Sequence, residues 1–163
     1  MKKCVFAGTF DPPTVGHKRV VESSLKMFDE VVVAILINPE KTALFTVEER
    51  ESLLKKLFAN EKRVRVVSFD GAVVDLLHKE NTPFYVRGVR NTIDFEYENA
   101  NFFANKKLKE DIVTIYIPAE QEELHVSSSL VRSSFKFKKD FSQYIPKEIY
   151  KDIEKLLKDK NVY

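Results

Sequence analysis

The chain alternates short apolar runs with stretches whose apolar residues recur at helical spacing. Lys3-Cys4-Val5-Phe6-Ala7 predicts a buried strand, and Val21, Leu25 and Phe28, at i, i+4 and i+7, predict the stripe of a helix after it. Val31 to Ile37 is a run rich in β-branched residues and free of charge, the mark of a strand covered on both faces. Thr46-Val47-Glu48-Glu49 has the form of a capping box, and the helix it opens carries Leu53, Leu54, Leu57 and Phe58 on one side. Val64 to Phe69 predicts a third strand, after which Asp70-Gly71 turns into a helix bearing Val73, Val74, Leu76 and Leu77. Phe84-Tyr85-Val86 and Ile112 to Ile117 predict a fourth and a fifth strand, the last stopped by Pro118, with a helix from Asp94 to about Lys106 between them. Pro146, ahead of Ile149, Ile153, Leu156 and Leu157, predicts the first turn of a last amphipathic helix.

Strands alternating with helices predict a single α/β domain, residues 1–163: a Rossmann-like, doubly wound sheet of five parallel strands with helices on both faces. No internal repeat, low-complexity tract or linker interrupts it. Hydrophobic residues make up 44% and charged residues 32%, a globular profile. Net charge is +2, from 27 Lys and Arg against 25 Asp and Glu, too balanced to point to nucleic acid or a membrane surface as partner. The single cysteine, Cys4, forms no internal disulfide and suits a reducing compartment; its place in a predicted strand makes it a packing residue. Without a signal peptide or an apolar run of membrane-spanning length, the expected location is the cytoplasm.

Candidate chemistry gathers where predicted strands end. Gly8-Thr9-Phe10-Asp11-Pro12-Pro13-Thr14-Val15-Gly16-His17 leads from the first strand into a helix whose unpaired N–H groups favour an anion. It has neither the G-x-G-x-x-G spacing of a dinucleotide fold nor the G-x-x-x-x-G-K-[ST] of a P-loop. Lys41 follows the second strand, and Arg87 and Arg90 follow the fourth. Ligands of open α/β sheets sit outside these carboxyl ends, so Lys, two Arg and His there predict a site for several phosphates. Ser127-Ser128-Ser129 opens a short helix; one serine suffices as a cap, and three could bind phosphate oxygens.

Gly8-Thr9-Phe10-Asp11-Pro12 followed by Thr14-x-Gly16-His17 resembles the (H/T)xGH signature of the nucleotidyltransferase superfamily. In its threonine form it resembles the bacterial phosphopantetheine adenylyltransferase family. Phe45-Thr46-x-Glu48-Glu49-Arg50 is similar to that family's FTxEER segment, Arg87-Gly88-Val89-Arg90 to its RGLR motif, Asp94-Phe95-Glu96-Tyr97-Glu98 to its DFEYE segment, and Ser127-Ser128-Ser129 to its ISSS motif. The likeness spans roughly residues 3 to 158. It departs at Ala7, where proline is usual, at Pro13 and Val15, and at Glu123-Leu124-His125, a stretch that is commonly aromatic and less charged.

The resemblance implies transfer of AMP from ATP to 4′-phosphopantetheine, giving dephospho-coenzyme A and pyrophosphate, with Mg²⁺ arriving with ATP and no protein metal cage. It implies His17 as transition-state stabiliser, with Lys41 and Arg90 also catalytic. Thr9, Lys41, Val73 and Arg87 would bind the acceptor. Thr9, Phe10, His17, Gly88, Val89, Arg90, Glu98 and the loop Glu123, Leu124, His125, Val126, Ser127, Ser128 and Ser129 would bind ATP. The helix of Val73, Val74 and Leu77 would offer surface to the pantetheine arm. It further implies a homohexamer and feedback binding of coenzyme A. A phosphate monoester is already ionised at neutral pH, so such a reaction needs no general base; positioning and fixed charge carry it. A nicotinamide-mononucleotide adenylyltransferase, a cytidylyltransferase and a non-catalytic nucleotide-binding module remain as alternatives. His78 has no assigned role, and His125 none beyond the loop's likeness; surface positions are the default for both.

Overall fold

The computed structural model describes residues 1–37 and 42–162. Five strands, β1 (Lys3–Gly8), β2 (Glu30–Ile37), β3 (Val64–Asp70), β4 (Phe84–Val89) and β5 (Val113–Pro118), form one parallel sheet in the order β3-β2-β1-β4-β5. The order reverses between β1 and β4, so a crevice opens above their carboxyl ends.

Among the described residues six α-helices cover the sheet: α1 (Val15–Ser24), α2 (Val47–Leu57), α3 (Val73–Lys79), α4 (Thr92–Leu108), α5 (Ser128–Lys136) and α6 (Tyr150–Asp159). One face carries α1, α2, α5 and α6. Cys4, Phe6, Val31, Val33, Ile35 and Val86 from its strands pack there with Val21, Leu54, Phe135, Ile153 and Leu157. The opposite face carries α3 and α4, where Val5, Ala7, Val32, Ala34 and Tyr85 meet Val73, Val74, Leu76, Leu77 and Phe102. Alternate residues of β1 and β2 thus enter two different cores, which is why both strands read as unbroken apolar runs.

Two boundaries differ from the expectation. α1 stops at Ser24, whose hydroxyl bonds back to the Val20 carbonyl at 2.7 Å, so Leu25 only caps the helix and Phe28 enters the core from the turn beyond it. Pro146 does not open α6. It starts a separate turn closed by Ile149 N–H to the Pro146 carbonyl, and the regular helix begins after Ile149. The predicted capping box of α2 is present, with Thr46 accepting from Glu49 N–H and Glu49 accepting from Thr46 N–H.

Candidate active site

The loop from Gly8 to Thr14 and the start of α1 form the floor of the crevice. Thr14 caps α1, and His17 completes a capping box in the place where Glu or Gln usually stands. Thr14 N–H donates to His17 Nδ1 at 3.0 Å, and the Thr14 hydroxyl lies 3.1 Å from the same nitrogen. Nδ1 is therefore the acceptor, and the ring proton sits on Nε2. Burial first, then the positive charges of Arg87 and Arg90, lower the His17 pKa to about 4. The histidine is thus a neutral N–H donor at physiological pH. Its ring is steadied by the edge of Phe10, 4.9 Å between centroids.

Buried polar bonds brace this loop from two sides. The Asp11 carboxylate accepts the N–H groups of Leu44 and Phe45, each at 2.8 Å. Arg50, 5% exposed, donates to the carbonyls of Thr9 (2.8 Å) and Thr46 (3.2 Å). From the other side Arg132 donates to the Asp11 carbonyl at 2.6 Å, and Ser128 Oγ to the Pro12 carbonyl at 2.8 Å. Three segments distant in sequence are locked together around Thr9 and His17.

Two cavities meet here. The first, about 510 Å³, is lined by Thr9, Phe10, His17, Gly88, Val89 and Arg90, with Glu123, Val126, Ser127 and Ser128 opposite. The second, about 550 Å³, lies over the α3 and α4 side and is lined by Asp70, Gly71, Val73, Asn101, Phe102, Asn105 and Thr114. Gly8, Thr9, Arg87, Tyr97 and Glu98 line both. Gly88 lets β4 lie close against α1, because a Cβ there would stand 2.9 Å from Val20 Cγ2.

The two arginines differ. Arg87 donates to the Ala7 carbonyl and pairs with the nearly buried Glu98. Arg90 is gripped by Asp94, Nε to Oδ2 at 2.8 Å, and holds that carboxyl below its usual range; its Nη1 reaches the Val126 carbonyl at 3.3 Å. It thereby joins the start of α4 to the loop before α5.

Sequence reading foresaw much of this lining, though not all of it. Ser127 caps α5 and Ser128 holds Pro12, both within the first cavity, whereas Ser129 accepts from Arg132 away from it. Leu124 and His125 also lie outside the lining; His125 packs against Tyr144 at 5.7 Å between ring centroids. Val73 lines the second cavity, while Val74 and Leu77 are spent in the core. Lys41 lies outside the described residues. Thr14 and Tyr97 stand in the quoted motifs without a role of their own, and Asn101 and Asn105 were not singled out. The first was detectable as a capping box with His in its last position, and the two asparagines as an i, i+4 polar pair on a helix that buries only Glu98.

Comparison with known proteins adds three findings. The family model described as "Cytidylyltransferase-like" matches residues 5–134. Proteins named phosphopantetheine adenylyltransferase from Nautilia profundicola and Bacteroides thetaiotaomicron are 40% and 41% identical, over 93% and 90% of this chain and 98% and 96% of their own lengths. A solved Vibrio parahaemolyticus structure, assigned only provisionally as a nicotinate-nucleotide adenylyltransferase, superposes with a TM-score of 0.73 at 24% identity, covering 100% of this chain and 96% of its own; that likeness bears on the fold alone.

Proposed function

The chain belongs to the cytidylyltransferase-like family and, within it, to the phosphopantetheine adenylyltransferases, and on that premise we propose that it transfers the adenylyl group of ATP to 4′-phosphopantetheine, giving dephospho-coenzyme A and pyrophosphate. The observation that carries this reading is the pair of cavities meeting at Thr9, Arg87 and Glu98. One suits a nucleotide triphosphate. The other is a trough with asparagine and apolar walls, suited to a long amide arm.

An acceptor phosphate at Arg87, with Lys41 as the second cation that the family likeness assigns to it, stands beside an α-phosphorus held between Gly88–Arg90 and Ser127–Ser128. The acceptor oxygen attacks the α-phosphorus, a new P–O bond forms, and pyrophosphate leaves with the electron pair of the broken anhydride. Negative charge grows on the α-phosphoryl oxygens, and the Nε2–H of His17 donates to it. Because Thr14 holds Nδ1, the donor is aimed before substrate arrives. Mg²⁺ belongs to the nucleotide substrate and offsets the charge of its phosphates.

Five exposed apolar residues of α4, Ile93, Phe95, Tyr97, Phe103 and Leu108, support self-association, for which the hexamer is our specific proposal. Coenzyme A, which differs from the product by one phosphate, fits the same two cavities as a feedback ligand. No helix of the described residues is long and apolar enough to cross a membrane, and we place the enzyme in the cytoplasm.

The test is pyrophosphate release with ATP or CTP against phosphopantetheine, nicotinamide mononucleotide and glycerol 3-phosphate. Rapid turnover is expected for ATP with phosphopantetheine. A better pair elsewhere in the panel would overturn the acceptor, and ATP binding without turnover by any pair would make the chain a binding module.

A further inference from the structure

Three buried polar atoms at one place in the fold lack hydrogen-bond partners among the described residues: Arg87 Nε, Thr114 Oγ1 and Tyr116 Oη. The register of β4 and β5 pairs Tyr85 with Thr114 and Arg87 with Tyr116. Alternate residues of a strand share a face, so these four side chains stand together on the side covered by α4. The Tyr116 ring meets Phe95 of α4 at 5.2 Å, one helical turn from Glu98. Its hydroxyl is pushed above its ordinary range by burial and then by the Glu98 charge. An idle hydroxyl therefore lies in the field of the carboxylate that holds Arg87.

Orphaned buried donors are costly, and phenylalanine or valine at these positions would remove the cost. A use in another state of the site accounts for them. Two of the five N–H donors of Arg87 are engaged here, Nη1 on the Ala7 carbonyl and Nη2 on Glu98. Turning the Nη2 edge of its fork to a phosphate releases Glu98, and a nearly buried carboxylate left without a donor is costly. We infer that Tyr116 is a positioning residue for this exchange: as Arg87 turns to the acceptor phosphate, the Tyr116 hydroxyl donates to Glu98, with the Thr114 hydroxyl as the second donor in the patch. The inference rests on reading Arg87 as a ligand of that phosphate.

The experiment compares Tyr116→Phe, Thr114→Val and Arg87→Ala with the parent chain, measuring melting temperature and KM for each substrate. Tyr116→Phe should leave the unliganded melting temperature unchanged or raised while KM for 4′-phosphopantetheine rises about tenfold or more, the worth of a hydrogen bond to a charged group. KM for ATP should stay within about twofold, since the exchange concerns one substrate only. Thr114→Val should follow with a smaller rise. A lowered melting temperature for Tyr116→Phe would show the hydroxyl already bonded and overturn the inference; so would an unchanged acceptor KM or equal rises for both substrates. If Arg87→Ala keeps a normal acceptor KM, the reading of Arg87 falls too. If Arg87→Ala weakens the acceptor and Tyr116→Phe does not, only the inference falls.

Discussion

The two cavities share one wall and are built on different principles. The first stands on helix starts with capped N-termini, and its loops are tied by Asp11, Arg50, Arg132 and Ser128 into one braced unit. The second leans on α4, which buries only Glu98 along its 17 residues and shows apolar side chains outward. Bond-making demands donors held still before charge develops, and the braced side supplies them. Recognition of a long flexible arm tolerates an adaptable wall. That wall also leaves Ile93, Phe95, Tyr97, Phe103 and Leu108 exposed.

The largest test of this contrast lies on the braced side. His17→Ala should lower kcat about 10²–10³-fold, the cost of one well-placed donor, with ATP affinity nearly kept. Pyrophosphate release and calorimetric titration of ATP together read it; a folded variant with normal turnover would deny the first cavity its catalytic part.

Next comes the shared wall. Arg87→Ala should weaken phosphopantetheine about 10–100-fold and ATP much less, and Arg90→Ala the reverse, as expected for charge-assisted hydrogen bonds lost from one ligand each. Calorimetry of both ligands against both variants decides between two subsites and one common anion pocket, for which the losses would be equal. Arg87→Ala also takes the paired cation from the nearly buried Glu98, so its melting temperature should fall even with Tyr116 as a neutral donor.

The smallest effect concerns pH. His17 titrates near 4 when folded against an ordinary value of 6.5. Between those values the unfolded chain binds the proton that the folded chain refuses. The stability tied to the neutral ring is therefore complete above about pH 6.5 and drains away as pH falls towards 4. Melting curves from pH 7 to 4 should show this loss, and His17→Gln should reduce it. Turnover should carry no His17 inflection between pH 6 and 8; one near 6.5 that vanishes in His17→Gln would mean the ring is not held neutral.

Much of this was legible in order of residues. The strand runs, the α2 capping box and the loop Gly8–His17 depend on near neighbours, so periodicity and cap chemistry expose them. The motifs at Arg87–Arg90 and Ser127–Ser129 were readable for the same reason. Local signals also misled at two helix ends, where the Ser24 hydroxyl and the turn at Pro146 decided the boundary.

The sequence by itself determined the alternation of strands and helices, the polar residues waiting at strand ends, and the family resemblance that spans most of the chain. Tertiary structure alone decided what each of those residues is bonded to. That Glu98 holds Arg87, that Asp11 ties Leu44 and Phe45 to the first loop, and that Tyr116 is left idle beside Arg87 are consequences of strand order, register and packing. The bonded partners among these stand 11 to 34 residues apart along the chain. Periodicity reports which face of an element is apolar, but a hydrogen bond depends on a few tenths of an ångström between elements that only packing brings together.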